Sequence, residues 1–188
     1  MKRTFLALPV ETTSSFMIMY EKIRNELAGE SIKWVPPDRL HITMFFFGAT
    51  SDDMEFRIKK ALATMQGASI DFRVVFDHLG VFPSKKNARV LWAGVENPKP
   101  FQHLYESLTI ALEQGDVALE RNHAFTPHLT LGRPKWIRDR SRFMQILESH
   151  QSMHLLSTRI DRLVYYQSIL TPDGPLYKPL GIYPPKPV

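Results

Sequence analysis

The sequence contains no cysteine. This absence excludes disulfides, cysteine-ligated zinc or iron–sulfur centres and a cysteine nucleophile, and it fits a reducing compartment, so we expect a cytoplasmic protein. The chain also lacks an apolar run long enough to span a membrane, and the run before Pro9 is too short for the core of a signal peptide. Neither a G-x-G-x-x-G fingerprint nor a phosphate-binding P-loop is present, which disfavours dinucleotide and ATP chemistry.

The composition is that of a globular protein. Of 188 residues, 44% are hydrophobic and 23% are charged, and the length suits one domain over residues 1–188. Lys and Arg number 24 against 19 Asp and Glu, which gives a net charge of +5. A basic excess of this size fits either an ordinary soluble surface or a polyanionic partner such as RNA, and charge alone does not decide between them.

Hydrophobic periodicity predicts a mixture of helices and strands. Capping residues and closing glycines predict helices after Ser51, at Pro100 and between a cap at 12–14 and Gly29, and a further helix over 141–149. Extended patterns predict strands at 4–10, 32–35, 40–47, 70–81, 89–95, 158–170 and 176–182, and a strand that carries His128. Hairpins join 70–81 to 89–95 and 158–170 to 176–182, so we expect an α+β fold with antiparallel sheet. The Pro-rich tail, 184–188, is expected to fray.

Two stretches share a pattern in which His and Thr alternate with apolar residues: Leu40-His41-Ile42-Thr43-Met44 and Pro127-His128-Leu129-Thr130-Leu131. On a strand, His41 and Thr43 point to one face, as do His128 and Thr130, while their apolar neighbours face a core. One such strand is ordinary packing. Two matched copies indicate a site.

Two imidazoles across a cleft suit phosphodiester hydrolysis, because His titrates near neutral pH and one ring can act as base while the other acts as acid. Threonine hydroxyls can donate to phosphate oxygens. We call 41–44 and 128–131 the tetrads. A metal site is disfavoured, since neither tetrad holds a carboxylate and two His alone are a poor ligand set. The remaining histidines lack a Thr two positions later, and we interpret them as surface or packing residues: His78, His103, His123, His150 and His154.

At these tetrads the chain resembles the two-histidine (2H) phosphoesterases, in particular the RNA 2′,3′-cyclic phosphodiesterases, also called 2′-5′ RNA ligases. The similarity extends to the segments 3–8, 89–94, 125–133 and 168–177. It implies two pseudo-symmetric lobes, each an antiparallel sheet with outer helices, around a central cleft. It also implies hydrolysis of an RNA 2′,3′-cyclic phosphate to a 2′-phosphomonoester, by a monomer without metal or cofactor, and in some members the reverse 2′-5′ ligation.

By the same resemblance, His41 and His128 form the acid–base pair, and Thr43 and Thr130 hold phosphate. For hydrolysis we favour His128 as base and His41 as acid, and the opposite division stays open. Phe46 and Arg133 stand at equal, odd offsets from the two histidines. The resemblance implies that they bind substrate: Phe46 stacks on a base and Arg133 pairs with phosphate. An odd offset puts both on the wrong face of an ideal strand, so they need a bulge or strand end. Ordinary core packing for Phe46 and a solvated charge for Arg133 stay open.

Other functions also stay open. One alternative is another 2H activity, on a small cyclic nucleotide or a 2′-5′ oligonucleotide. Another is a non-catalytic module that binds RNA ends. A basic rim for RNA phosphates, with a plain solvated surface as the competing interpretation, would comprise Arg39, Lys85, Lys86, Arg89 and Arg121. Trp34 and Trp92 fit core positions better than base platforms, and Ser168 and Tyr177 have no predicted role.

Overall fold

A computed structural model describes residues 1–65, 70–83, 88–119, 124–152, 154–172 and 174–183. The predicted helix end at Gly67, the rim residues Lys85, Lys86 and Arg121, His123, part of the turn at 171–174 and the tail 184–188 lie outside the described residues. The elements follow the order β1 Lys2–Pro9, α1 Ser14–Glu26, β2 Ser31–Trp34, a 3-10 turn Pro37–Arg39, β3 His41–Thr50, α2 Asp52–Ala63, β4 Phe72–Pro83, β5 Ala88–Val95, α3 Lys99–Gln114, β6 His128–Trp136, α4 Arg140–Ser149, β7 Leu156–Ile160, β8 Leu163–Thr171 and β9 Gly174–Tyr183.

The strands form two antiparallel sheets, which confirms the predicted α+β class. The four-stranded sheet has the order β3-β1-β8-β9 and the five-stranded sheet has the order β2-β6-β5-β4-β7. The chain passes between the sheets more than once, since β2 pairs with β6 although it lies between β1 and β3 in sequence. The two tetrad strands, β3 and β6, therefore belong to different sheets, and they contact one another.

Side-chain caps fix where three helices begin. Thr13 Oγ1 accepts from the Phe16 amide at 3.2 Å, and Ser51 Oγ accepts from the Met54 amide at 3.2 Å, as predicted. Asp139 Oδ1 caps α4. No helix in the described ranges is both long and apolar enough to cross a membrane.

The core is continuous from one sheet to the other. The residues behind the tetrads are almost fully buried: Ile42, Met44, Leu129 and Leu131. Full burial of such a side chain stabilises the fold by about 1.5–3 kcal/mol, so both tetrad strands are anchored through their rear faces.

One predicted strand is wrong. The segment 158–170 is two strands in different sheets: β7 pairs with β4, whereas β8 pairs with β1 and β9. Asp161 and Arg162 make the crossing, and Arg162 binds both Asp161 at 2.8 Å and Glu11 at 3.0 Å. The apolar alternation on either side concealed the break.

A buried chain of hydroxyls ties three strands of the smaller sheet together. Tyr165 OH donates to Thr4 Oγ1 at 3.0 Å, and Thr50 donates to the Gly48 carbonyl at 3.2 Å. Thr4 must then donate to Thr50 across 2.6 Å. The hydrogen of each of these three hydroxyls has an acceptor, so these buried polar groups stabilise the sheet.

Candidate active site

The tetrads adopt the predicted alternation. His41 and Thr43 are half-buried on one face of β3, while Ile42 and Met44 are buried on the other. Strand β6 repeats this order from its first residue, His128. Each strand therefore presents one imidazole and one hydroxyl away from the core.

A bulge follows each tetrad. On β3, Ala7 pairs with Thr43 but Leu6 pairs with Phe45, so one residue is extra. On β6, Trp92 pairs with Thr130 but Leu91 pairs with Gly132. An extra residue reverses the facing of those that follow it. The odd offset predicted a bulge or a strand end, and a bulge is what both strands contain.

Each catalytic candidate is oriented by its own backbone. His41 Nδ1 lies 2.7 Å from the Arg39 carbonyl, and His128 Nδ1 lies 2.8 Å from the Thr126 carbonyl. A carbonyl oxygen only accepts, so Nδ1 carries the hydrogen in both rings. Nε2 is then the nitrogen that can exchange a proton with a bound group.

Aromatic rings confine both imidazoles. His41 lies 5.2 Å from the ring centres of Phe5 and Tyr177. His128 makes an edge contact with Phe82 at 4.8 Å, with Trp92 at 6.3 Å. This packing restricts ring rotation and reduces the water around each nitrogen.

Burial lowers the pKa of both histidines. Desolvation is the main cause at His41, where the Arg39 carbonyl opposes it and the charges of His128 and Arg133 add to it. Desolvation is also the main cause at His128, opposed by its carbonyl bond and assisted by Arg133. Because the charge of His128 is among the causes that lower the His41 pKa, the two histidines lie within electrostatic range of each other.

A cavity of about 420 Å³ opens beside His41. His41, Thr43, Phe46 and Arg133 all line it, so four of the six predicted site residues meet there. His128 and Thr130 are not among the lining residues; they lie on β6, the strand that also carries Arg133 and that contacts β3. Phe46 is 55% exposed, which excludes ordinary core packing for its ring.

The sequence predicted no role for several other residues that line the cavity. Arg3 and Phe5 come from β1, Ser168 and Leu170 from β8, and Pro175 and Tyr177 from β9, while Arg89 had been predicted only as rim. Cross-strand pairing connects these residues to the site. Phe5 pairs with Phe46, and Ser168 pairs with Tyr177, so they extend the site surface from β3 across the sheet.

None of the other histidines in the described ranges lines the cavity. Trp92 does not occupy the predicted core position, because it packs against His78, Phe82 and His128, next to the site. His103 and His154 are exposed and His150 is buried. His78 binds Asp77 at 2.6 Å and packs against Trp92. Trp92 is half-buried beside His128. In the described ranges, no group of three or more His, Asp or Glu could hold a metal ion.

Comparison with known proteins identifies relatives over nearly the whole chain. The model of the 2′-5′ RNA ligase superfamily matches residues 15–168. An RNA 2′,3′-cyclic phosphodiesterase of Methanothermobacter thermautotrophicus is 31% identical, covering 96% of this chain and 97% of its own length. A protein of the same name from Thermotoga maritima is 31% identical, covering 95% and 92%.

Solved structures share the fold. TT0787 of Thermus thermophilus superposes with a TM-score of 0.74 at 22% identity, covering 96% of both chains. E. coli LigT complexed with 3′-AMP gives a TM-score of 0.65 at 22% identity, covering 97% of both chains.

Proposed function

Because the chain belongs to the 2′-5′ RNA ligase superfamily, we propose that it hydrolyses RNA 2′,3′-cyclic phosphate ends to 2′-phosphomonoesters. This membership confirms the resemblance drawn from the two tetrads. The observation that carries the proposal is the matched pair of imidazoles, each with Nδ1 held by a backbone carbonyl and Nε2 left for proton transfer.

We assign the roles as follows. His128 Nε2 takes a proton from water as the water oxygen forms a bond to phosphorus. The P–O3′ bond breaks, and His41 Nε2 gives its proton to O3′. Thr43 and Thr130 donate to the non-bridging oxygens, and Arg133 offsets the charge that accumulates on them. No step requires a metal ion.

The lowered pKa values agree with this cycle. In the free protein both imidazoles favour the neutral form, which suits the base. The acid must be protonated, and an anionic phosphate bound between the rings raises the pKa of its nearer histidine. Substrate binding thus allows His41 to take up from solvent the proton that it later gives to O3′.

The same groups can also join two RNAs. If the 5′-hydroxyl of a second RNA takes the place of water, His128 Nε2 takes its proton as O5′ bonds to phosphorus, the P–O3′ bond breaks, and His41 Nε2 gives its proton to O3′, which leaves a 2′-5′ bond. Cleavage of that bond by O3′ is the reverse step, in which the two histidines exchange roles.

Three further expectations stay predictions. Both histidines belong to one chain, so we propose that residues 1–188 work as a single domain and as a monomer. A cytoplasmic location is the third expectation.

The test uses a short RNA with a 2′,3′-cyclic phosphate end, incubated in EDTA, with the position of the product phosphate assigned by NMR. A 2′-phosphate, with turnover lost in His41→Ala and in His128→Ala, is the expected result. Near-normal turnover in either variant contradicts the mechanism. Tight binding of this RNA without turnover indicates a module for RNA ends, and turnover of other cyclic nucleotides or 2′-5′ oligonucleotides alone indicates a different 2H activity.

A further inference from the structure

The cavity carries more positive charge than one cyclic phosphodiester needs. Arg3, Arg89 and Arg133 line it, and no lining residue in the described ranges is Asp or Glu. Arg39 reaches the same wall, where its Nη1 donates to the Pro175 carbonyl at 3.2 Å. The arginines that form ion pairs within the described part of the chain are others: Arg24, Arg57, Arg159 and Arg162. A cyclic phosphate brings a single negative charge, which leaves cationic side chains for a second anion.

Arg133 is the arginine placed to serve the reacting phosphate. Its charge lowers the pKa of both His41 and His128, so it lies within electrostatic range of both proton-transfer groups. It also follows the second tetrad directly on β6. Arg3 and Arg89 enter the cavity from other strands, β1 and β5, and are available for a different group.

A bulge turns Arg89 out of its strand. Val90 pairs with Phe82, whereas Ala88 pairs with Pro83, so Arg89 is the extra residue on β5. Bulges next to active sites re-aim side chains. Arg89 is exposed to solvent and lines the cavity. The bulge at Arg89 therefore directs a cation into the site, just as those at Met44 and Leu131 direct Phe46 and Arg133.

Arg3 is held in place by Phe46. Its guanidinium lies over the Phe46 ring, 4.9 Å from the centre. A stacked guanidinium keeps its N–H donors free in their own plane, and it loses less freedom when it binds a phosphate. Phe46 is 55% exposed even with this guanidinium over its ring, so part of the ring remains open to a base. One aromatic side chain can thus support a phosphate contact on one side and a nucleobase on the other.

We propose that Arg3 and Arg89 form a second phosphate subsite, for the phosphate on O5′ of the terminal nucleotide. O5′ is the position left for it, since O2′ and O3′ of that nucleotide are both in the cyclic phosphate. The inference rests on the proposed function and specifies its substrate class: an RNA end that brings a 5′-side phosphate, in preference to a cyclic nucleotide without one.

Three substrates test the subsite: adenosine 2′,3′-cyclic phosphate, the same nucleotide with a 5′-phosphate, and the dinucleotide ApA ending in 2′,3′-cyclic phosphate. We expect kcat/KM to be about tenfold higher for the last two, as one charged hydrogen-bonded contact provides. For the dinucleotide, log(kcat/KM) should fall with log salt more steeply by about 0.7, the value for one added phosphate contact on a single strand.

The variants use the ratio of kcat/KM with and without the 5′-side phosphate as their readout. Arg3→Gln and Arg89→Gln should each reduce the ratio several-fold. Arg3→Lys, which keeps the charge and loses the fork, should retain part of it. Arg142→Gln on α4, outside the cavity lining, removes an equal charge and should leave the ratio unchanged.

Equal kcat/KM for all three substrates overturns the subsite, as does an unchanged ratio in both glutamine variants. An advantage for the dinucleotide alone also overturns it, because the second nucleoside is then recognised instead of the phosphate. Failure of the proposed function is a different result, in which none of the three is hydrolysed. Calorimetry with adenosine 2′-phosphate and adenosine 2′,5′-bisphosphate then decides: about tenfold tighter binding of the second supports the subsite, and equal binding refutes it.

Discussion

Asparagine at each histidine position separates proton transfer from structure. In His41→Asn, the side-chain amide nitrogen can take the place of Nδ1 and donate to the Arg39 carbonyl, which His41 Nδ1 now reaches at 2.7 Å. His128→Asn can do the same toward the Thr126 carbonyl, at 2.8 Å in the native chain. Both variants keep the backbone anchor and lose Nε2, the atom assigned to proton transfer.

In each variant, we expect a larger loss of catalysis than of stability. General acid–base catalysis contributes 10²–10⁴-fold, or about 2.7–5.5 kcal/mol of transition-state stabilisation, and each variant should lose that much in kcat. The free energy of unfolding should fall by about 1–3 kcal/mol, since the carbonyl bond persists and each variant loses mainly two ring contacts, worth about 0.5–1.5 kcal/mol per pair. Urea denaturation measures the second quantity independently.

The pH profile of kcat/KM then assigns the two roles. A base must be deprotonated, so it produces the acid limb; an acid must be protonated, so it produces the alkaline limb. With both pKa values lowered, the native optimum should lie on the acid side of 6.5. His128→Asn should lose the acid limb and His41→Asn the alkaline limb.

Two results would refute this reasoning. Loss of the same limb in both variants means that the imidazoles do not divide the acid and base roles. A loss of kcat below tenfold in either variant, with the fold intact by urea denaturation, means that its Nε2 is not in the reaction.

Three further predictions concern charge and stability. Arg133→Gln should move the whole pH profile of kcat/KM to higher pH, because the Arg133 charge lowers both histidine pKa values; a profile that stays in place contradicts this. Glu55→Gln should lower the free energy of unfolding at pH 7, since hydrogen bonds from Lys2 and Lys59 hold the Glu55 pKa below 4.5. The deficit should vanish as pH falls from 4.5 through that lowered pKa, and a deficit that persists in acid argues against the charge as its cause. Tyr165→Phe should cost about 1 kcal/mol in urea denaturation, because the bond to Thr4 is lost while Thr4 still donates to Thr50; no cost would mean that the bond does not stabilise the fold.

Local patterns predicted what depends on neighbours in sequence. Alternation at the tetrads predicted which side chains face the core, and Ser51 predicted the start of α2. These features follow from the two-residue period of strands and from capping, both of which act over a few residues. The family resemblance, confirmed by the relatives, then supplied the chemistry.

Long-range pairing was not predictable in the same way. Whether 158–170 forms one strand or two depends on which distant strands it pairs with, and β7 and β8 pair with strands of different sheets. Arg3 lies far from both tetrads in sequence and reaches the cavity because β1 pairs with β3. Arg89 faces the cavity because of a bulge in β5, and the residues around Arg89 did not predict that bulge.

The bulges explain why the site residues escape simple periodicity. From its histidine, each tetrad strand reads half-buried, buried, half-buried, buried, buried, exposed. The repeated buried position arises from the extra residue, Met44 on β3 and Leu131 on β6. It lets the rear face stay anchored in the core while the next side chain, Phe46 or Arg133, returns to the front. The two strands use the same device and deliver different chemistry, a flat ring from one sheet and a cation from the other. Stacking of a base on the Phe46 ring should therefore tolerate any base and vary little with salt, whereas the phosphate contacts of Arg133, and of Arg3 over that ring, should weaken as salt increases.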